Sequence, residues 1–382
     1  MKLYIIAGES SGDAHAAVLM HELQSLRSDI QFYGAGGPRM REVGGFHIFE
    51  WTQEAVVGLW DVIVKYPYFR NQFHRMYREI CRLLPDAVIF VDYPGFNLRL
   101  ANYLHRKGYP GKKIYYISPQ VWAWNRGRIV RMAGYLDLMM CIFPFEKPLY
   151  EASGLRTEFV GHPMIAELEA KRIPIKRDPK LIGLLPGSRE REVRRIFPIM
   201  LQAASILLQR DPSIRFEVSA ASEELCELIK QIAVHHDFPR IPIGIRHSIE
   251  LMQRAFVGMV ASGTATMEAS FFRFPFVLLY KVSWFTFLPG RLLVKVNYLG
   301  MPNILAAEPP IIPEFIQHQA VPEHIAESVW SLYSDEPTRT DMIKAMDEII
   351  LQLAEGEAGH RAAEVVLQEL GVPVLRGGTA AP

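Results

Sequence analysis

Several common signatures are missing from this 382-residue sequence. Its three cysteines are an odd number with neither disulfide nor metal-ligand spacing, which indicates a reducing compartment. Lys and Arg total 42 against 41 Asp and Glu, so the basic excess typical of nucleic-acid binding is absent. No apolar run approaches the roughly 20 residues that span a bilayer, and the first residues lack a signal-peptide layout. We therefore expect a cytoplasmic protein, soluble or peripheral to a membrane, with no nucleic-acid partner.

Three ligand-binding motifs are also absent. The chain has no Gly-x-x-x-x-Gly-Lys-Ser/Thr loop of the kind found in P-loop NTPases. It has no Asp-x-Asp pair to chelate a nucleotide-bound metal, and His235-His236-Asp237 has no partners at ligand spacing. The turn after the first apolar run does not complete the dinucleotide fingerprint, which makes NAD binding a weak hypothesis. The sequence thus predicts neither a metal nor a cofactor.

What is present is a repeated alternation of short apolar runs and amphipathic stretches, which indicates βαβ units and mainly parallel sheets. A chain longer than about 300 residues is expected to form two domains, and the polar, proline-broken segment Lys171–Lys180 reads as the linker. We predict an α/β fold with domains 1–170 and 171–345. The predicted strands are Leu3–Ala7, Gln31–Ala35, Ala87–Val91, Lys113–Ile117, Leu136–Phe143, Leu181–Leu185, Arg215–Ala220, Val257–Val260 and Phe276–Lys281.

Two strand–glycine–helix turns carry the main functional signal. Gly8–Asp13 follows the first predicted strand, and Gly187–Arg189 follows the strand that opens the second half. Backbone N–H groups at a helix N-terminus favour anions, and a guanidinium matches phosphate oxygens. An ordinary helix cap with an exposed arginine is the alternative, but Pro186 and Gly187 fix the second turn and favour anion binding there.

A third turn, Ser262–Ala265, follows another predicted strand. Its small residues could admit a diphosphate, and Glu268 could accept hydrogen bonds from ribose hydroxyls. A plain capping box between Thr264 and Glu268 explains the same residues, so both interpretations stay open for this turn taken alone. Its similarity to the Gly187 turn favours the diphosphate.

Polar or aromatic residues follow two further predicted strands. Asp92 could act as a general base, although an Asx-turn explains its position slightly better from local sequence. Trp122 and Trp124 form a stiff aromatic segment that is either core or a binding surface.

An apolar and basic surface is predicted around Val56–Leu84. Within Phe69–Leu84, an apolar stripe lies beside a basic one. Core packing explains most of this pattern, and contact with anionic lipid headgroups is the sharper alternative. The basic residues are Arg70, His74, Arg78 and Arg82, and a similar mixture recurs around Trp284.

Eight ordered motifs resemble those of the lipid-A-disaccharide synthase family, and the match extends from the first residue to near Leu370. They are Gly8-Glu-Ser-Ser-Gly-Asp13, Asp92-Tyr-Pro-Gly-Phe-Asn97, Ser118-Pro-Gln-Val-Trp-Ala-Trp124, Phe143-Pro-Phe-Glu146, Gly161-His-Pro163, Leu185-Pro-Gly-Ser-Arg189, Ser262-Gly-Thr-Ala265 and Pro302-Asn303. The resemblance implies a GT-B glycosyltransferase with two Rossmann-like domains facing a cleft. It also implies that a C-terminal helix within 346–382 crosses back to the first domain ahead of a flexible tail.

The implied reaction transfers 2,3-diacylglucosamine from its UDP-linked form to 2,3-diacylglucosamine 1-phosphate (lipid X), with inversion, to give a β-1,6 disaccharide and UDP. The implied partners are these two lipids, the anionic cytoplasmic face of the inner membrane and a second copy of the chain as a homodimer. The resemblance makes Asp92 the general base and reverses the preference for an Asx-turn. The substrate and nucleotide contacts expected with it are Gly12, Asp13, Gln120, His162, Gly187, Ser188, Arg189, Ser262, Gly263, Thr264, Ala265, Glu268 and Asn303.

Three alternatives remain at this point. The chain could be another GT-B transferase of the cell envelope that uses UDP-N-acetylglucosamine, or a UDP-sugar 2-epimerase. A soluble-substrate enzyme should lack the apolar patch near Trp60 and Trp284. A non-catalytic nucleotide-sugar or lipid-binding module would tolerate Asp92→Asn without consequence.

Overall fold

The computed structural model describes residues 1–51, 66–123, 125, 127–238, 240–282, 296–306, 308–354 and 356–373. The predicted features at Val56–Lys65, Trp124, Trp284–Leu288 and the tail beyond Pro373 lie outside these residues. The chain forms two compact units. The first unit comprises Met1–Pro163 and Leu353–Pro382, and the second comprises Met164–Gln352.

The first unit is built on a parallel sheet whose described strands lie in the order β3-β2-β1-β4-β5-β6-β7. These strands are β1 (Lys2–Ala7), β2 (Gln31–Gly36), β3 (Ile48–Glu50), β4 (Ala87–Val91), β5 (Lys112–Tyr116), β6 (Leu138–Cys141) and β7 (Thr157–Phe159). The described helices are α1 (Ser10–Leu26), α2 (Pro38–Gly44), α3 (Tyr66–Leu83), α4 (Pro94–Arg106), α5 (Gly127–Ala133) and α6 (Glu146–Glu151), with short 3-10 turns at Gly45–His47 and Val121–Ala123.

The second unit contains a parallel sheet with the described order β10-β9-β8-β11-β12-β13. Its strands are β8 (Asp178–Leu185), β9 (Arg215–Ala220), β10 (Ile243–Ile245), β11 (Ala255–Ala261), β12 (Phe276–Tyr280) and β13 (Glu314–Ile316). Its described helices are α7 (Met164–Glu169), α8 (Glu190–Arg210), α9 (Glu223–His235), α10 (Ser248–Arg254), α11 (Ala265–Phe271), α12 (Met301–Ala306), α13 (Pro322–Ser334) and α14 (Glu336–Leu353), with a 3-10 turn at Gln317–Gln319.

Each sheet has a point where the strand order reverses. In the first sheet β1 pairs with β4, with Ala7 beside Val91. In the second sheet β8 pairs with β11, with Leu185 beside Val260. Ligands of open α/β sheets bind beyond the carboxyl ends of the strands at such a point. The turns that follow these four strands are therefore the structural candidates for a site.

The predicted strands are confirmed, and the strands that sequence reasoning missed share one position. They are β3, β7, β10 and β13, each three residues long, and they form the edges of the two described sheets. Central strands are buried on both faces and read as continuous apolar runs. A three-residue edge strand is too short to show any such pattern.

The C-terminal helix α15 (Ala358–Glu369) belongs to the first unit, as predicted. It packs closely on α1, because a Cβ added at Gly359 would lie 2.6 Å from Val18 Cγ1. His360 Nδ1 lies 2.9 Å from Glu22 Oε2 on α1. At the other end, the Glu369 carboxylate contacts Lys112 and Arg156 at 2.8 and 2.7 Å.

The predicted linker Lys171–Lys180 lies inside the second unit. The guanidinium of Arg177 donates to Met252 O and Phe272 O at 2.7 and 2.6 Å, near the C-terminal ends of α10 and α11. Burial lowers the pKa of this guanidinium to about 10. The polar and proline-rich sequence therefore reflects an anchored connection, in which an arginine satisfies carbonyls at two helix ends.

Candidate active site

One cavity in the second unit collects most of the residues predicted to contact nucleotide. It has a volume of about 250 Å³ and lies at the carboxyl ends of β8, β9 and β11. Seven of the predicted residues line it, namely Gly187, Ser188, Ser262, Gly263, Thr264, Ala265 and Glu268. The two turns that resembled each other in sequence thus meet across the switch point between β8 and β11.

The turn at Gly187 requires glycine. Its φ is +115°, and an added Cβ would lie 2.7 Å from Glu192 Oε2. Backbone N–H of Ser188 points toward the same oxygen, at 3.3 Å. A carboxylate therefore accepts from this turn, as expected where free N–H groups begin a helix.

Arg189 is placed at the rim and is not among the residues that line the cavity. It is the N-cap residue of α8, its side chain is 81% exposed, and its Nη1 lies 3.3 Å from Glu192 Oε1. Since Glu192 does line the cavity, the guanidinium of Arg189 is one side chain removed from it.

The turn at Gly263 begins α11 without a side-chain cap. Thr264 makes no capping hydrogen bond, so the capping box considered for Thr264 and Glu268 does not form. Gly263 has φ +149°, and an added Cβ would meet nothing within 4 Å. The backbone at this turn is accordingly open to a ligand.

Glu268 lies one turn into α11 and is half-buried. Burial raises the pKa of its carboxyl, while the charge of Lys171 opposes this shift and that of Glu167 adds to it. A half-buried acceptor at the cavity wall suits hydrogen bonding to hydroxyl groups.

Arg246 was missed by sequence reasoning. It lines the cavity together with Ser219 and Ser248, and its φ is +56°. Its backbone N–H donates to Ala220 O at 2.8 Å, which ties this residue to the end of β9. A signal existed, because Arg246 directly follows β10, but that edge strand was not predicted.

In the first unit, Asp92 follows β4 directly and has a constrained backbone. Asp92 and Tyr93 both have positive φ, +47° and +49°, and such positions cost about 1–3 kcal/mol each. Its carbonyl accepts from Asn97 Nδ2 at 2.7 Å and Tyr115 Oη at 2.6 Å. Its N–H donates to Tyr116 O at 3.0 Å. These bonds hold a conformation that would otherwise be strained.

The carboxyl of Asp92 is suited to accept a proton. Burial raises its pKa, a hydrogen bond from the Tyr93 backbone opposes the shift, and the nearby charge of Glu9 adds to it. A base becomes more effective as its pKa approaches the working pH.

The Gly8 turn lies beside the Asp92 turn. A Cβ added at Gly8 would lie 2.3 Å from the ring of Tyr93, so the ring covers this glycine. Gly12 is buried, and its added Cβ would lie 3.6 Å from Val91 O. A Cβ at Gly12 would therefore make only ordinary contacts, so packing does not by itself require glycine here, and the ligand contact of Gly12 stays a prediction.

Asp13 has a structural role in place of the predicted substrate contact. It is buried, and its carboxylate accepts from the backbone N–H groups of Gly37, Arg39 and Met40 at 2.7, 3.0 and 3.0 Å. These groups belong to the first turn of α2, where N–H groups have no intrahelical partner. The carboxylate is therefore occupied as a helix cap.

The turn after β5 carries Gln120 and is fixed by hydrogen bonds to the buried side chain of Glu146. Glu146 accepts from Ser118 Oγ at 2.5 Å and from Trp122 Nε1 at 2.8 Å. Trp122 is buried, which favours core packing over the alternative of a binding surface. Gln120, between the two anchored residues, is exposed.

His162 follows β7 and is half-buried. The centroid of its ring lies 5.2 Å from that of Phe143. The backbone N–H of His162 donates to Leu353 O at 3.1 Å. Burial, with a contribution from His15, lowers the pKa of this imidazole to about 4. The ring is therefore neutral near pH 7.

Asn303 is fully buried in the second unit and does not face the cavity described above. Its Nδ2 donates to Ile312 O and Glu314 Oε1 at 2.8 Å, and its Oδ1 accepts from Ile311 and Ile312 at 2.9 Å. The amide is saturated by these bonds, so its observed role is to fix the loop before β13, in place of the predicted polar contact.

The described residues contain neither a metal site nor a membrane-spanning helix. Among them, no group of three or more His, Cys, Asp and Glu side chains is arranged to hold a metal ion. No helix within the same residues is long and apolar enough to cross a membrane.

Comparison with known proteins gives a concordant result. The family model for lipid-A-disaccharide synthetase matches residues 3–369. A lipid-A-disaccharide synthase of Persephonella marina is 38% identical over 382 residues, covering 96% of this chain and 98% of the relative. One of Anaeromyxobacter sp. strain K is 37% identical over 374 residues, covering 96% and 97%.

Solved structures share the fold. The UDP-GlcNAc 2-epimerase of Neisseria meningitidis, solved with UDP-GlcNAc, superimposes with a TM-score of 0.61 and 12% identity over 97% of this chain and 99% of that one. At this identity the likeness establishes the architecture alone, which is the predicted GT-B fold.

Proposed function

This chain belongs to the lipid-A-disaccharide synthase family and is a glycosyltransferase, and from this premise we propose its substrates, its mechanism and the roles of its residues. The donor is UDP-2,3-diacylglucosamine and the acceptor is 2,3-diacylglucosamine 1-phosphate. The products are the β-1,6-linked disaccharide 1-phosphate and UDP. The alternatives raised from the sequence are not favoured, because the family model and the curated relatives match nearly the whole chain.

The observation that carries this proposal is the single cavity shared by the Gly187 and Gly263 turns. The UDP diphosphate binds there, against the N-termini of α8 and α11, whose dipoles favour negative charge. Arg246 lines the cavity, and Arg189 lies at its rim, paired with Glu192. Both oppose the charge that develops on the leaving group in the transition state. Glu268 accepts hydrogen bonds from the ribose.

The chemical step is an inverting displacement. Asp92 accepts the proton of the acceptor 6-hydroxyl, and the oxygen attacks the anomeric carbon of the donor. The bond from that carbon to the UDP oxygen breaks, and UDP leaves with the electron pair. The raised pKa of the Asp92 carboxyl favours proton uptake, and its doubly strained turn supports a fixed functional position.

We further propose that the protein binds the cytoplasmic face of the inner membrane, since both substrates carry acyl chains. Helix α3 supports this, because Arg70, His74, Arg78 and Arg82 are all exposed along it while Met76 and Ile80 are buried. Exposed basic residues attract anionic headgroups. Co-sedimentation with anionic and with neutral vesicles tests this, and equal binding to both would contradict it. The homodimer stays a prediction, which light scattering of the purified protein can test.

The deciding experiment incubates the purified protein with both lipids and detects the disaccharide by mass spectrometry. Asp92→Asn should lower kcat by about 10²–10⁴-fold and leave the Kd for UDP within about twofold, because the nucleotide contacts are retained. Asp29→Asn is the matched control, since Asp29 lies at the surface in an exposed ion pair with Arg27.

Each outcome has a separate meaning. No disaccharide from the wild type would overturn the proposed reaction, and release of free sugar without acceptor would favour an epimerase. An active Asp92→Asn variant would remove Asp92 as the base. Arg246→Ala should raise the donor KM and lower kcat, and unchanged kinetics would remove Arg246 from the diphosphate site.

A further inference from the structure

A second cavity, in the first unit, is not used by the mechanism above. It has a volume of about 400 Å³ and lies between α4 and α5. Its described lining residues are Pro94, Leu98, Arg99, Asn102, His105, Arg128, Arg131, Gly134 and Tyr135. We call it the arginine cavity.

The arginine cavity is strongly cationic. Three arginines and one histidine are among its lining residues, and none of its described lining residues is acidic. Burial raises the pKa of the Tyr135 hydroxyl, and the positive charges of Arg128 and Arg131 oppose this rise. Both arginines therefore lie near this hydroxyl. Several arginines on one concave surface are suited to bind the oxygens of a phosphate group.

The arginine cavity lies next to the Asp92 turn. Pro94, which lines it, is two residues beyond Asp92 and begins α4, and Arg99 lies roughly 7.5 Å further along that helix. Tyr115 connects the two places, since its hydroxyl donates to Asp92 O at 2.6 Å. The charge of Asp92 raises the pKa of this hydroxyl, and the charge of Arg128 lowers it.

The chemistry of the acceptor fits this separation. In a glucosamine 1-phosphate, the carbon that carries the phosphate and the carbon that carries the 6-hydroxymethyl group are both bonded to the ring oxygen. A base for the 6-hydroxyl and a site for the 1-phosphate must therefore lie within one sugar of each other. Fixing the phosphate would orient the hydroxyl for attack, which lowers the entropic part of the barrier.

We propose that the arginine cavity binds the 1-phosphate of the acceptor, a phosphate monoester, and thereby directs its 6-hydroxyl to Asp92. The inference rests on the proposed function. The test compares the wild type with Arg99→Ala and Arg131→Ala, each assayed with the phosphorylated acceptor and with 2,3-diacylglucosamine lacking the phosphate, in neutral detergent micelles. Arg106→Ala is the matched control, because Arg106 is exposed on the same helix and does not line the cavity.

Loss of one charged contact should raise the KM for the phosphorylated acceptor by about tenfold. Removing the phosphate from the acceptor should raise the wild-type KM by at least this factor, because all the arginine contacts to it are lost at once. The two changes should not add, because they delete the same interaction. The donor KM, and kcat/KM with the phosphate-free acceptor, should stay within about twofold of wild type in both variants.

Three results would overturn the inference. Equal losses with both acceptors would show a structural effect, and unchanged kinetics with the phosphorylated acceptor would exclude the contact. A defect seen only when anionic vesicles replace the micelles would assign the arginines to membrane headgroups. Absence of disaccharide with wild-type protein and either acceptor would instead refute the proposed function, so the two failures are distinguishable.

Discussion

Glu146, the first residue of α6, allows a quantitative prediction of how the stability of the first unit depends on pH. It is fully buried and accepts hydrogen bonds from Ser118 and Trp122. Burial raises the pKa of its carboxyl from 4.5 to about 7, and the hydrogen bonds limit this rise. Two neighbours, Cys141 and Tyr150, have pKa values raised mainly by burial and partly by Glu146 itself, so both stay neutral in the relevant pH range.

The direction in which stability changes with pH follows from proton uptake at Glu146. Between pH 4.5 and about 7 the folded protein binds more protons at Glu146 than the unfolded chain does, so stability falls as the pH rises. The contribution is fully present below about pH 4.5 and is lost as the pH passes about 7. The pKa of Glu146 is about 2.5 higher in the folded protein than in the unfolded chain, which corresponds to roughly 3 kcal/mol of folding free energy.

The perturbation is Glu146→Gln, which removes this titration and keeps one oxygen acceptor. Urea unfolding, followed by tryptophan fluorescence from pH 4 to pH 8.5, gives the free energy of unfolding of the wild type and the variant. The difference between them should change by up to roughly 3 kcal/mol across this range, with the wild type losing relative stability at high pH. Glu151→Gln, exposed on the same helix, should show no such change. Parallel curves for the wild type and Glu146→Gln would refute the reasoning.

Three further predictions concern the helix cap, the diphosphate turn and metal dependence. Asp13→Ala should lower the free energy of unfolding by about 2 kcal/mol or more, because three N–H groups lose their acceptor; chemical denaturation measures this, and an unchanged midpoint would contradict the cap. Gly187→Ala should raise the Kd for UDP about tenfold in calorimetry, because it combines a positive φ with crowding against Glu192. Gly154→Ala, with φ +79° but open space around its Cβ, should leave UDP binding unchanged. Activity should persist in excess EDTA, because arginines and backbone N–H groups supply positive charge at the diphosphate, and an absolute need for added Mg²⁺ would disprove that assignment.

The sequence by itself determined the architecture and the principal turns. Central strands such as Ala87–Val91 are buried on both faces and therefore consist only of apolar residues, which makes them readable without a structure. The glycines at 187 and 263 were readable for a related reason. A chain that turns sharply from a strand into a helix needs φ values that other residues rarely adopt.

Only the tertiary structure decided which polar side chains remain available to a ligand. Asp13 and Asn303 were indistinguishable in sequence from ligand-binding residues, but the folded chain saturates both. Asp13 accepts from N–H groups 24–27 residues away, and the Asn303 amide bonds to groups 8–11 residues away. Arg246 shows the opposite case, because it lines the cavity of the second unit and follows an edge strand too short to leave a pattern in the sequence. Hydrogen-bond saturation and burial depend on contacts between residues far apart in the chain, and local sequence carries no record of them.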